Sequence, residues 1–283
     1  MKYGACSWTF GDAPLAETAA RLAEAGYDGV ELLGDLGRYD PGHVLRVLGD
    51  HGLTVLSLTP ENVDLAHPDP AVRAAAVDYY QRLIDFAAAL GHPVVCCHGA
   101  VGRVRAVTTC AEERGFFVEG VRALASRAHE SGLRVAMEVL NRYEAHLLNT
   151  AREALRFAAE VGRDNVGILL DAYHMNIEEA DLRSAILAAG ERLFLFHAAD
   201  SNRQAVGCGH TDFLGVWRSL RDAGYDGAVI VECTARGPDP FTPVKGIGWR
   251  DEVARYALES VRLLRLYEGI TRGNGEGNTC CSA

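Results

Sequence analysis

Eight short apolar runs, each about the length of one β-strand, recur along the 283 residues and are separated by helix-like stretches. The runs lie at Tyr3 to Ser7, Gly29 to Leu33, Leu53 to Leu58, Pro93 to His98, Leu133 to Met137, Val166 to Leu170, Leu193 to Phe196 and Ala228 to Val231. Strict alternation of strands with helices requires parallel strands and right-handed crossovers, and eight such units close a barrel. We therefore predict a single α/β domain, a (β/α)8 TIM barrel.

The stretches between the runs are rich in Ala, Leu and Arg, and their apolar residues return every three or four positions, as on one face of a helix. Predicted helices include Pro14 to Ala25, Pro70 to Leu90, Glu112 to Glu130, Thr150 to Val161, Glu178 to Ala189, Phe213 to Ala223 and Arg250 to Tyr267. Asn149-Thr150 provides a helix start signal ahead of Ala151.

Two segments depart from this regular spacing. Thr234 to Gly248 follows the eighth run and is predicted to be a long loop over the active face, where it would act as a lid. The barrel is expected to occupy residues 1–269. Residues 270–283 are expected to form a flexible tail, because this segment is rich in Gly, Asn and Ser and has little to bury.

One short motif occurs twice, as Ala25-Gly-Tyr-Asp-Gly-Val-Glu31 and as Ala223-Gly-Tyr-Asp-Gly-Ala-Val-Ile-Val-Glu232. Each copy closes a helix with Gly and opens a strand. A glycine there suits a C-terminal helix position with positive φ. We interpret the repeated Tyr-Asp as a packed helix-to-strand turn rather than as catalytic residues.

Composition restricts the classes of partner and compartment. The formal net charge of -10 argues against nucleic acid, because phosphate contacts depend on clustered Lys and Arg. The apolar runs are shorter than the roughly 20 residues that span a bilayer, which predicts no membrane partner. The eight cysteines show no CxxC spacing and are expected to be reduced. A cytoplasmic protein is the expectation.

Four residues with metal-ligating side chains lie at or directly after the last four apolar runs, namely Glu138, Asp171, His197 and Glu232. The C-terminal ends of barrel strands meet on one face, where barrel active sites lie, so these side chains are expected to converge. Buried carboxylates need a partner cation. Three carboxylates and one imidazole suit Mn²⁺, Mg²⁺ or Co²⁺, and zinc is less favoured. The sequence therefore predicts a divalent metal site.

Further polar residues lie a few positions beyond these candidate ligands: Glu144 and His146 after Glu138, His174 after Asp171, and Arg203 after His197. We expect them in loops on the active face. A metal with an arginine and a histidine beside it is suited to a polyhydroxylated or carbonyl substrate, whose oxygens the cation would polarise.

Longer motifs surround the candidate ligands, most strongly across residues 133–233. They read Glu138-Val-Leu-Asn-Arg-Tyr-Glu144, Leu170-Asp-Ala-Tyr-His-Met-Asn-Ile-Glu-Glu179, His197-Ala-Ala-Asp-Ser-Asn-Arg203 and Gly224-Tyr-Asp-Gly-Ala-Val-Ile-Val-Glu232. This part of the chain resembles the ketose 3-epimerases, a family that includes D-tagatose 3-epimerase and D-psicose (allulose) 3-epimerase within the xylose isomerase-like sugar isomerases and epimerases.

The resemblance implies an isomerase that interconverts C3 epimers of a free ketose by deprotonation and reprotonation through a cis-enediolate. It implies that Glu138, Asp171, His197 and Glu232 bind one divalent metal, commonly Mn²⁺, and that Glu138 and Glu232 also transfer the proton. Glu144, His174 and Arg203 would contact the substrate. Relatives of this kind also imply a homodimer or a homotetramer.

Other functions stay open at this stage. The same metal and glutamates would serve an isomerase or epimerase of another α-hydroxy carbonyl, such as an inosose, a hydroxypyruvate or a biosynthetic sugar intermediate. His210 and Asp212 suggest a nuclease barrel of the endonuclease IV type, although the acidic surface argues against DNA. A non-catalytic sugar-binding barrel is the most remote alternative.

Overall fold

The computed structural model describes residues 1–239 and 241–273, and in this part of the chain eight parallel strands close into a barrel in sequence order. The strands are β1 (Lys2–Cys6), β2 (Gly29–Leu33), β3 (Thr54–Thr59), β4 (Val94–Cys97), β5 (Val135–Glu138), β6 (Val166–Asp171), β7 (Leu193–Ala198) and β8 (Ala228–Val231). Strand β1 pairs with both β2 and β8, which completes the ring. The predicted (β/α)8 TIM barrel is confirmed.

Helices alternate with the strands and cover the outside of the barrel. They are α1 (Leu15–Ala25), α2 (Pro41–Asp50), α3 (Pro70–Ala89), α4 (Cys110–Glu130), α5 (Ala151–Val161), α6 (Ala172–Glu178), α7 (Leu182–Ala189), α8 (Phe213–Asp222) and α9 (Trp249–Gly273), with short 3-10 helices at Ser7–Phe10 and Gly190–Arg192. One large apolar core joins the helices to the strands. A second, smaller apolar cluster is formed by strand residues such as Cys96, Leu169 and Ile230, as expected for the packed interior of a barrel.

Local sequence signals explain where several helices begin and end. Thr150 caps α5 in a reciprocal capping box with Glu153, as the start signal predicts. The repeated glycine ends a helix in both copies of the motif, since Gly26 and Gly224 have φ values of 90° and 70°. This left-handed conformation is cheap for glycine and strained for residues with a Cβ.

The helix predicted over Glu178 to Ala189 corresponds to α7, which ends at the predicted residue but starts at Leu182, and the separate short helix α6 precedes it. Helix α6 ends at Glu178, and Glu179 has extended backbone dihedrals. Asp181 then starts α7 by accepting hydrogen bonds from the backbone N–H groups of Arg183 and Ser184. An aspartate in this capping position favours a new helix start over continuation of the old helix.

The C-terminal boundary and the expected absence of a membrane span concern the helices of the described residues. Helix α9 continues to Gly273, and residues 274–283 of the predicted tail lie outside the described part, so the boundary at residue 269 stays a prediction. Within the described residues no helix has the length and apolar character needed to cross a membrane.

Candidate active site

The C-terminal ends of β5 to β8 bring the four predicted metal ligands to one face of the barrel. Glu138 ends β5, Asp171 ends β6, His197 lies one residue before the end of β7, and Glu232 directly follows β8. All four are buried. Asp171 and His197 are direct register partners on adjacent strands, so the barrel geometry itself places their side chains next to each other.

Three of these four side chains form a compact group. Glu138, His197 and Glu232 each offer one ligand atom, and the three atoms lie within 4.8 Å of one another. His197 Nδ1 lies 3.4 Å from Glu232 Oε2. Asp171 stands beside this group, with Oδ2 3.7 Å from His174 Nε2 and Oδ1 accepting a hydrogen bond from the backbone of Tyr173.

The atoms at the centre of the site lack protein partners. Asp171 Oδ2, His197 Nδ1 and His174 Nε2 are buried and have no hydrogen-bond partner among the described residues. Burial, together with the neighbouring acidic groups, raises the pKa of Glu138 to about 8 and that of Asp171 to about 7. A buried set of carboxylates and one imidazole fits a divalent cation, which would satisfy Asp171 Oδ2 and His197 Nδ1 and offset the negative charge.

Glu232 has strong partners of its own. Trp8 Nε1 donates a hydrogen bond of 2.8 Å to Oε1, and Arg203 donates one of 2.9 Å to Oε2. Burial would raise the pKa of Glu232, but the positive charge of Arg203 and the contacts with His197 and Trp8 outweigh burial and hold this pKa far below its usual value. Glu232 is therefore an oriented, ionised carboxylate.

Arg203 reaches Glu232 from the loop after β7, and Asp200 organises that loop. The Asp200 carboxylate accepts hydrogen bonds from the backbone N–H groups of Ser201, Gly207 and Thr211. Arg203 itself has a left-handed backbone with φ of 58°, which is uncommon for a residue with a side chain. Such strain persists where the surrounding structure enforces it, often at functional sites.

Glu144 and His174 are both held by Asn141. The Asn141 side chain donates a hydrogen bond of 3.0 Å to Glu144 Oε1, and its backbone N–H donates one of 3.2 Å to His174 Nδ1. Because a backbone N–H only donates, Nδ1 must be the accepting nitrogen of His174, and Nε2 carries the proton. Burial lowers the pKa of His174, so the ring is neutral. His174 lies in α6 rather than in a loop, which corrects the expectation from the sequence.

Glu31, in the middle of β2, is a functional candidate that the sequence analysis missed. Its carboxylate is completely buried and lies 3.1 Å from His197 Nε2. Ser57, Thr59 and Cys6 also donate hydrogen bonds to it. Burial would raise the pKa of Glu31, but His197 and these donors outweigh burial and hold the pKa below its usual value.

Glu31 belongs to a second group of ligand-type side chains, with Cys6 and His197. In the structure the Cys6 thiol donates its hydrogen to Glu31 at 2.9 Å. Burial and the Glu31 charge raise the pKa of this thiol well above its usual value. A metal ligand must be a thiolate, so this second group is poorly suited to hold a cation.

A cavity of about 250 Å³ opens above these residues. Its lining comprises Trp8, Leu33, Thr59, Pro60, Asn62, His98, Val101, Glu138, Leu140, Glu144, His174, Arg203, Glu232 and Phe241. All three predicted substrate contacts, Glu144, His174 and Arg203, are in this list, while the half of the wall from β1 to β4 is mostly apolar.

Three other polar residues singled out from the sequence lie away from this cavity lining. His146 bonds Glu113 at 2.9 Å and the carbonyl oxygen of Arg103 at 2.8 Å. His210 contacts the Ser201 hydroxyl, and Asp212 caps α8. His146 lies in the segment after β5, as expected, but its ring bonds the buried Glu113 and does not line the cavity.

Three residues of the site were not predicted: Glu31, Trp8 and Asn141. An acidic residue inside the otherwise apolar run Gly29 to Leu33 is a signal that could have identified Glu31. The sequence around Trp8 and Asn141 carries no comparable signal, because their roles depend on contacts with Glu232 and His174, which are far away in the sequence.

Comparison with known proteins identifies the family of this chain. The family model described as xylose isomerase-like TIM barrel matches residues 19–264. A ketose 3-epimerase of Arthrobacter globiformis is 38% identical over 218 residues, covering 75% of each chain. A D-psicose 3-epimerase of Agrobacterium fabrum is 33% identical over 261 residues, covering 86% of each.

A solved structure gives the same result at the level of the fold. The crystal structure of a D-allulose 3-epimerase from Methylomonas in complex with D-allulose has a TM-score of 0.85 and 28% sequence identity, and the match covers 94% of this chain and 97% of that one. With the family model and the two relatives above, this chain belongs to the ketose 3-epimerase family within the xylose isomerase-like TIM barrels and is an isomerase acting on carbohydrates.

Proposed function

We propose that this chain is a divalent-metal-dependent epimerase that interconverts the C3 epimers of a free ketose through a cis-enediolate. The observation that carries the proposal is the pair of buried glutamates, Glu138 and Glu232, at one cavity of monosaccharide size. They come from strands that are not neighbours, β5 and β8. Inversion at one carbon needs a proton removed from one face and returned to the other, which two such carboxylates supply better than one.

Glu138, Asp171, His197 and Glu232 would hold the cation, and the unpaired atoms of Asp171 and His197 support this assignment. When bound, a divalent cation polarises substrate oxygens and stabilises negative charge that develops on them. Mn²⁺ is the proposed metal, with Mg²⁺ and Co²⁺ as alternatives, because the ligands are mainly carboxylate oxygens.

The two glutamates carry the proton in opposite directions. One carboxylate removes the hydrogen on C3, which is acidic because it lies next to the C2 carbonyl, and the other returns a proton to the opposite face. The roles exchange when the reaction runs in reverse. Trp8 and Arg203 fix both oxygens of Glu232, so this carboxylate is already oriented before substrate binds.

Glu144, His174 and Arg203 would orient the reacting end of the ketose. His174 presents its Nε2–H as a donor, since Asn141 occupies Nδ1. Arg203 presents a guanidinium 4.9 Å from the Tyr173 ring and 3.7 Å from Glu144. These groups offer donors and an acceptor for adjacent hydroxyl and carbonyl oxygens.

The names of the relatives support ketohexoses and ketopentoses as the first substrates to test. Purified protein, stripped with EDTA and reloaded with Mn²⁺, is incubated with D-psicose, L-ribulose and their C3 epimers, and the products are separated by chromatography. We expect the 3-epimer with the loaded protein and none with the stripped protein. An aldose product, or equal turnover without metal, would contradict the proposal.

A further inference from the structure

We propose that Glu31 is a positioning residue that orients His197 for the metal. Its carboxylate would fix the ring so that Nδ1 faces the group formed with Glu138 and Glu232. This inference rests on the metal dependence in the proposed function and adds a residue that touches neither substrate nor cation.

The hydrogen bond between the two residues determines which nitrogen of His197 is available. Glu31 Oε2 lies 3.1 Å from His197 Nε2, and both side chains are buried. An ionised carboxylate only accepts hydrogen bonds, so Nε2 must carry the hydrogen. When the ring binds a cation as a neutral imidazole, its lone pair is therefore on Nδ1. That nitrogen has no hydrogen-bond partner among the residues described and lies 3.4 Å from Glu232 Oε2.

Glu31 is itself held rigidly. Ser57 Oγ donates a hydrogen bond of 2.6 Å to Oε2, and Thr59 Oγ1 donates one of 2.7 Å to Oε1. Cys6 Sγ donates to Oε1 from β1. Cys96 Sγ, from β4, donates to Oε2 at 3.5 Å. These four donors from β1, β3 and β4 hold the carboxylate in one orientation, which in turn orients the His197 ring. Burial of a carboxylate costs free energy unless the group is fully hydrogen-bonded. Hydrogen bonding to a metal-ligating histidine is a common role for such a carboxylate.

In a competing arrangement, His197 would bind the cation through its other ring nitrogen. A cation held by Cys6, Glu31 and His197 would need Nε2 as the ligand atom and a Cys6 thiolate. In the structure both positions are already used, since Nε2 faces the carboxylate and the thiol donates its hydrogen to Glu31. The geometry therefore favours metal on the Nδ1 side.

The test measures Mn²⁺ binding directly, without turnover. Metal-free wild-type, Glu31→Gln and Cys6→Ala proteins are titrated with Mn²⁺, and the free ion is followed by electron paramagnetic resonance. Loss of a partner of a metal-ligating histidine commonly weakens affinity by roughly 10- to 100-fold, and we expect this for Glu31→Gln. Ser57→Ala, which only loosens Glu31, is expected to weaken binding by less. Cys6→Ala is expected to bind within about threefold of wild type, because the thiol is only a donor to Glu31.

Glu113→Gln is the matched control, because Glu113 is another fully buried carboxylate with a histidine partner, but lies outside the cavity lining. It is expected to lower stability and to keep the wild-type Mn²⁺ affinity. If folded Glu31→Gln protein binds Mn²⁺ with wild-type affinity, the inference about Glu31 is overturned, while the proposed metal dependence is unaffected. Loss of binding in Cys6→Ala protein would favour the competing arrangement and overturn it as well. A wild-type protein that binds no Mn²⁺ would overturn the proposed metal dependence and this inference together.

Discussion

Glu138 and Glu232 are each expected to have two roles, as metal ligands and as proton carriers, whereas Asp171 is expected only to bind the metal. Glutamine at either glutamate position keeps the size and one ligating oxygen but carries no proton. We predict that Glu138→Gln and Glu232→Gln lower kcat by about 10² to 10⁴, the usual contribution of a general acid or base. Metal affinity should fall far less. Steady-state rates at saturating Mn²⁺ check the first part, and Mn²⁺ titration checks the second.

Asp171→Asn is the comparison for those variants. If Asp171 acts only as a ligand, excess Mn²⁺ should restore most of kcat in Asp171→Asn protein. No concentration of Mn²⁺ should restore kcat in Glu138→Gln or Glu232→Gln protein. Recovery of kcat in Glu138→Gln protein on addition of Mn²⁺ would show that Glu138 is a ligand and not a proton carrier.

His98 offers a prediction about substrate specificity. Its ring lines the cavity on the side of β4, and Nδ1 has no hydrogen-bond partner among the described residues. Burial lowers the pKa of His98 to about 4, so the ring is neutral near pH 7. His98→Phe keeps a ring but removes both nitrogens. We predict a KM for ketohexoses raised by about 3- to 10-fold, the value of one lost hydrogen bond, with Mn²⁺ affinity unchanged.

An unchanged KM in His98→Phe protein would mean that this histidine only fills space. Phe241→Ala is a useful companion, since Phe241 lines the same cavity without a polar atom in its side chain. The two variants separate the loss of a hydrogen bond from a change of shape.

Residues differ in how well their roles follow from the sequence. Glu138, Asp171, His197 and Glu232 were predictable as a group, because each ends or follows an apolar run and barrel strands converge at that end. Glu31 was not, because it lies inside its run and its partner is 166 positions away. Its meaning comes from closure of the barrel, which a linear pattern does not contain.

At the level of elements, a buried ionic network ties together the segments beside the cavity. Arg103, after β4, forms an ion pair with Glu113 of α4, and its Nε lies 2.8 Å from Asp64, after β3. His146, after β5, bonds Glu113 at 2.9 Å. The network of Asp64, Arg103, Glu113 and His146 thereby links the segments after β3, β4 and β5. This arrangement supports Val101 and Glu144, which line the cavity from two of the same segments.

We predict that Glu113→Gln destabilises the protein by roughly 3 kcal/mol near pH 7, since breaking a buried ion pair leaves charge uncompensated. Burial would raise the pKa of Glu113, but Arg103 and two backbone N–H groups outweigh burial and lower it to about 2. Urea unfolding of both proteins measures the difference in stability.

The same pair of proteins tests the sign of the pH dependence. A lowered pKa in the folded state contributes stability above the unfolded value, near 4.3 for glutamate, and that contribution is lost as pH falls towards 2. The stability difference between wild type and Glu113→Gln should therefore be constant from pH 7 to 5.5 and shrink between pH 5 and 3.5. A difference that grows in acid would contradict this assignment.

Elements whose limits depend on local signals were well predicted, and the exception is instructive. The start of α5 follows from the Thr150 cap. The start of α7 was predicted four residues too early, at Glu178 instead of Leu182, although Asp181 is a capping residue. Glu178, at the end of α6, is also bound by Arg142 from the segment after β5. That tertiary contact helps to fix where α6 ends and has no local signature.

For the whole molecule, the barrel and its family are established, and several expectations stay predictions. These are a homodimer or homotetramer, a cytoplasmic location, and closure of residues 234–248 as a lid. The described part of that segment places Phe241 at the cavity, which is the position a lid needs. The wall from β1 to β4 was least predictable, because residues such as Leu33, Pro60 and Val101 line it without a polar side chain that a sequence pattern could single out.

The most direct test of the central claim follows the C3 proton. Mn²⁺-loaded protein is incubated with a ketose in D₂O, and the recovered substrate and product are examined by NMR and mass spectrometry. We predict one deuterium at C3 in the 3-epimer, and none after Glu138→Gln and Glu232→Gln are combined. Deuterium at C1 with an aldose product, or a 3-epimer that retains its C3 hydrogen, would contradict proton transfer by these two glutamates.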